Sequence, residues 1–146
     1  VVFQGSCKGG IIPLAIEYVE KILMERTAKQ LGEMWPVKVG KYYLLVILAE
    51  QSRDEMLNQS LKVAEICKEY GVLELLFAEP REDQDRILRI RSNIYLTLKL
   101  EVIDILDVIV PLSSVGVFMG TVDRIAEKYG AYLLMVMLEM GIFMCI

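Results

Sequence analysis

Residues 41–50, KYYLLVILAE, form an apolar run with no polar alternation. It is too apolar for a half-exposed strand and too short to span a bilayer, so it predicts a central strand. Residues 51–71 switch to helical spacing. Ser52 stands three residues before Glu55, the capping-box interval, and Leu57, Leu61, Ala64 and Cys67 share one face before Gly71 supplies the stop. VLELLFAEP (72–80) predicts a second strand closed by Pro80. Residues 81–99 predict a helix that is charged at its start and carries Ile87, Ile90, Ile94 and Leu98 on one stripe. VIDILDVIVP (102–111) is a β-branched run ended by Pro111. Residues 113–130 repeat the earlier helix design, with Ser113 as cap, a stripe of Val115, Phe118, Val122, Ile125 and Tyr129, and Gly130 as stop. AYLLMVML (131–138) follows as a strand.

A repeat emerges from this order. AEICKEYGVLELL (64–76) and DRIAEKYGAYLLM (123–135) share a helix end, a Tyr-Gly stop and an apolar strand. Each follows its own strand and capped helix, which gives two strand–helix–strand units joined by the 81–99 helix. The economical packing is a single α+β domain over residues 1–146. Its expected form is a ferredoxin-like antiparallel sheet, duplicated, with helices mainly on one face.

The N-terminal third is less regular. VVF at the start suits an edge strand, and VVFQGS also reads as a tag scar. A strand-like start then leads into a helix from about Val19 to Leu31. Met34, Trp35 and Pro36 lie in a connection where Trp35 is expected to pack. The tail, AYLLMVMLEMGIFMCI, falls short of the roughly 20 residues a spanning helix needs, and Glu139 would sit mid-membrane. It reads as a core strand followed by an altered end.

Composition narrows the function classes. The apolar share is 55%, which suggests apolar surface meant for another domain or subunit. With 16 basic against 20 acidic residues and no basic cluster, nucleic-acid binding is excluded. Cys7, Cys67 and Cys145 make neither a disulfide framework nor a zinc pattern and read as reduced thiols in a cytoplasmic protein, Cys67 buried on its helix. The chain has no histidine, the commonest general base and transition-metal ligand near neutral pH.

Few residues suggest chemistry. Glu101, Asp104 and Asp107 are close in sequence, but on a strand Asp104 and Asp107 point to opposite faces, so a shared site is not expected. Arg86, Arg89 and Arg91 form the densest basic group. They read either as a solvated helix face or as an arginine gripping a substrate carboxylate bidentately. Gly9-Gly10, Gly116 and Gly120 do not space a phosphate loop.

The ordered series IIPLAIEYVEK (11–21), LGEMWPV (31–37), KYYLLVILAEQSRDEM (41–56), CKEYGVLELLFAEPREDQDRILRIR (67–91) and LDVIVPLSSVGVFMGTVDRIAEKYG (106–130) resembles the C-terminal domain of FAD-linked oxidases, the group that holds D-lactate dehydrogenase and the D subunit of glycolate oxidase. The resemblance implies a cap domain that covers a flavin held by a separate FAD-binding domain, with D-2-hydroxy acids oxidised by hydride transfer to FAD. It assigns Arg91 to the substrate carboxylate and gives Asp107 a structural role. Where some relatives carry a lysine two residues before that aspartate, this chain has Ile105. The family's motif G-H-x-x-D-G-N-x-H, which supplies metal or catalytic histidines after the Tyr-Gly stop, has no counterpart in MVMLEMGIFMCI. On this reading the chain is inactive alone. The competing expectation is a non-enzymatic ferredoxin-like module that binds a small ligand or forms a homo-oligomer through its sheet. A protein anchored to a membrane by its tail is a third.

Overall fold

The computed structural model describes residues 11–131, 134–138 and 141–145. The expected VVF strand, Gly9-Gly10 and Cys7 lie outside them. Within them the chain is an α+β domain. Strand β1 (Ala15–Glu20) leads into helix α1 (Lys21–Gln30), then β2 (Tyr42–Ile47), α2 (Arg53–Glu69), α3 (Arg81–Ser92) and the short α4 (Ile94–Leu98). Strand β3 (Ile105–Val108), a 3-10 turn (Leu112–Ser114), α5 (Val115–Tyr129), β4 (Leu134–Leu138) and β5 (Gly141–Cys145) complete it. All pairings are antiparallel, in the order β2-β1-β4-β5-β3.

The β1–β2 register explains which residues meet the core. Glu17 lies opposite Leu45 and Val19 opposite Tyr43, so these four share a face, while Ile16, Tyr18 and Val46 line the other. On the first face Val19, Tyr43 and Leu45 pack with Leu23, Met24 and Ala28 of α1, Ile90 of α3, and Ile94 and Leu98 of α4. Trp35 is buried in this cluster with its ring 5.3 Å from Tyr43. The expected packing role of Trp35 is thus met, while its neighbour Met34 stays exposed.

On the second face Tyr18 packs with Val115, Phe118, Met119 and Val122 of α5, and Val46 packs with Val63, Ile66 and Cys67 of α2. The helices therefore divide between the two faces instead of gathering mainly on one. The reason is legible in β2: an apolar run without alternation must be covered on both sides. That strand also lies at an edge of the sheet among the described residues, not at its centre.

The repeat is met in its second copy. β3 and β4 both run antiparallel to β5, so they are parallel to each other with β5 inserted between them and α5 as the connection. That is a split strand–helix–strand unit. The first copy stops after its helix, because residues 72–80 form no strand. The Val72 N–H closes α2 on the Cys67 carbonyl at 3.0 Å, and Gln84 Nε2 donates to the carbonyls of Ala78 and Glu79. Leu73 and Phe77 point outward with no neighbouring strand described. Strand propensity without a partner gives extended chain, not sheet.

Other boundaries shift locally. The 81–99 helix breaks at Asn93, yet Ile87, Ile90, Ile94 and Leu98 keep one buried stripe across the break. In α2 the buried stripe is Val63, Ile66 and Cys67, and Leu57 and Leu61 are exposed, so the expected face is rotated. In α5, Ile125 and Tyr129 are exposed, and Ser114 rather than Ser113 takes the cap position.

Candidate functional site

Helix α3 starts after Pro80 with Glu82 and Asp83 in its first turn and ends with Arg89 and Arg91 in its last. That is the charge order its dipole favours. Ile87 and Ile90 turn into the core, and Ile90 is fully buried. Arg91, about 100° further round the helix, then meets the sheet beside the apolar cluster.

Glu17 waits there. It sits on β1 on the same face as Val19 and Tyr43 and is 8% exposed. A carboxylate in such surroundings is costly unless it is paired and hydrogen-bonded. Arg91 supplies both: Nε donates to Oε2 at 2.6 Å and Nη2 donates to Oε1 at 2.7 Å, across 74 residues of sequence. The contact is the in-plane bidentate form that only an arginine fork can make. The arginine side chain keeps 28% of its surface, against 11% for the glutamate. Its remaining nitrogen, Nη1, makes no hydrogen bond among the described residues.

The three arginines grouped in the sequence have separate fates. Arg86 donates to Asp83 one turn back at 2.6 Å, and Arg89 pairs with Glu33 after α1. Only Arg91 is paired with a carboxylate of the sheet. Glu17 was not among the residues singled out by sequence. The helix expected from about Val19 begins only at Lys21, and once Ala15–Glu20 is a strand, Glu17 and Val19 fall on one face two residues apart.

The acidic trio does not assemble. Glu101 pairs with Arg26 of α1, and Asp104 Oδ1 accepts the Ile105 N–H at 2.8 Å at the start of β3. Asp107 occupies the β3 ladder opposite Phe143. Among the described residues no group of three or more potential ligand side chains is placed to hold a metal ion. Cys67 is buried against β2, and burial pushes its thiol up.

On the opposite face from Glu17, Tyr18 and Tyr42 place their rings 5.2 Å apart. Burial, then the neighbouring Tyr42, Glu20 and Asp123, drives the Tyr18 phenol above its ordinary range, so it stays protonated. The sheet separates it from Arg91, and the two do not form one site.

The chain matches the family described as "FAD linked oxidases, C-terminal domain" over residues 3–144. It is 32% identical over 124 residues to a protein from Archaeoglobus fulgidus named D-lactate dehydrogenase. That alignment covers 85% of this chain and 27% of the relative, so the chain spans about a quarter of that protein's length.

Proposed function

The chain belongs to the C-terminal domain family of FAD linked oxidases, and from that premise we propose that it is the substrate cap of an FAD-dependent oxidoreductase. Its substrate on this reading is a D-2-hydroxy acid of the lactate or glycolate type, and the chain is inactive alone. The name of the archaeal relative supports the substrate class. The observation that carries the reading is Arg91: one edge of its fork is anchored, and the other, on a partly exposed side chain, has no partner among the described residues. A small carboxylate presented in the plane of that free edge would complete a second bidentate contact.

Two of the helix N-termini are unsuited to the flavin's pyrophosphate. Helices α2 and α3 open with Asp54 and Glu55, and with Glu82 and Asp83, which repel a pyrophosphate at the very ends that would otherwise attract it. On this reading FAD is held mainly by another domain of the full-length protein. Leu73, Leu100, Ile103, Ile109 and Val117 are each more than 70% exposed, an apolar excess suited to cover by such a domain. This chain's residues bind and orient the substrate acid. The test is steady-state kinetics of the full-length flavoprotein on D-lactate and glycolate, where Arg91→Ala raises KM. An unchanged KM would remove the arginine assignment.

A further inference from the structure

Arg91 and Glu17 are joined through both oxygens of a buried carboxylate. Arg86 holds Asp83 within its own helix, and Arg89 holds Glu33 in the chain following α1 with more than half of its side-chain surface in solvent. Arg91 instead meets a carboxylate fixed in the middle of a strand, flanked by Val19 and opposite Leu45. Both oxygens of Glu17 are used, so the guanidinium plane is set by a rigid element and cannot rotate about its own long axis. What the pair leaves over is directional: Nη1 and the second hydrogen of Nη2 lie along the outer edge of the fork, and this edge has no partner among the described residues.

We propose that Glu17 is a positioning residue for substrate. It fixes the orientation of the Arg91 guanidinium so that the outer edge receives the carboxylate of the hydroxy acid. This rests on the reading of Arg91 given above. Two opposed effects follow from removing the glutamate charge. Loss of the anchor frees the guanidinium to turn out of plane and weakens the bidentate contact. Loss of the negative charge raises the local positive potential and strengthens attraction to any anion. The anchor dominates because a carboxylate gains most from two aligned N–H bonds, while the field at a partly exposed arginine is screened by water.

The experiment uses the full-length flavoprotein. KM and kcat for a D-2-hydroxy acid and for its uncharged amide analogue are measured in Glu17→Gln, Glu17→Asp, Arg91→Lys and Arg91→Ala, with Tm recorded for each. Glu17→Gln is expected to raise KM for the acid about tenfold with little change in kcat. KM for the amide should not move. Glu17→Asp keeps the charge but withdraws it by one methylene, and recovers part of the loss. Arg91→Lys does not restore binding, because an ammonium is a point charge with no fork. Adding Glu17→Gln to Arg91→Ala should raise KM no further, since the glutamate acts through the arginine.

Three results would overturn the proposal. If Arg91→Ala raises KM while Glu17→Gln and Glu17→Asp lower only Tm, Glu17 is structural and the Arg91 reading survives. If Glu17→Gln lowers KM, the glutamate competes with substrate instead of positioning its partner. If Arg91→Ala leaves KM unchanged, the substrate reading fails and the positioning role with it. Should Glu17→Gln fail to fold, the aspartate variant decides alone: an unchanged KM for the acid is the contrary result.

Discussion

At the scale of single residues, two side chains show how surroundings decide chemistry. Glu17 is a surface-type residue held on a buried face by one arginine, and the sequence did not single it out, because the segment from Val19 was expected to be helical while the strand runs on to Glu20. Its partner could not be read from sequence, because 74 positions separate them and the chain offers Arg86 and Arg89 as equally good candidates. Cys67 is the simpler case, since helical spacing already put it on a buried face. Burial raises its thiol, so the folded state favours the protonated form. Its contribution to stability is therefore complete below the thiol's ordinary value and is lost as pH rises through alkaline values toward the raised one. The native protein should leave Cys67 unreactive toward an aromatic disulfide reagent at neutral pH and release it on unfolding in urea. Prompt labelling of Cys67 in the native state would contradict the burial.

At the scale of elements, local signals were legible wherever they close on nearby residues. The capping box is present as spaced: Ser52 Oγ accepts the Glu55 N–H at 3.2 Å and donates to the Glu55 carboxylate at 3.0 Å. Gly71 and Gly130 close their helices at φ +71° and +64°, where a side chain would be strained. Ser52→Ala is expected to cost about 1 kcal/mol of stability, read from the urea midpoint. A shift below the error of that midpoint would mean that α2 is held by packing alone. Non-local features were less legible. Residues 72–80 have strand composition but no described strand to pair with, and β5 lies where the sequence reading placed an altered end. The rotation of the α2 stripe has the same origin. Leu57 and Leu61 keep helical spacing, but β2 presents Val46 to the Val63 side of the helix.

At the scale of the whole molecule, the α+β class and antiparallel sheet followed from the order of apolar runs, whereas helices were expected mainly on one face and cover both, as the lack of alternation in β2 requires. The missing histidines belong to this scale as well. Met135 to Met144 can be spelled ATG-GTC-ATG-CTG-GAG-ATG-GGA-ATA-TTC-ATG. From the third base of the first codon, the same letters read G-H-A-G-D-G-N-I-H. That fills every fixed position of the G-H-x-x-D-G-N-x-H motif implied by the resemblance. Sequencing the transcript across these codons, with mass spectrometry of the matching peptide from the native source, is expected to recover the histidine frame. A peptide carrying the methionine-rich sequence would contradict it.

The central claim is that this domain presents Arg91 to the carboxylate of a hydroxy acid in a flavin enzyme. Its most direct measurement is KM for D-lactate and glycolate in the full-length flavoprotein, compared between wild type and Arg91→Ala at matched flavin content. The account predicts a rise of at least roughly tenfold for the acids, with no change for an amide analogue. Equal KM values for the two proteins, with D-2-hydroxy acids still oxidised, would contradict it.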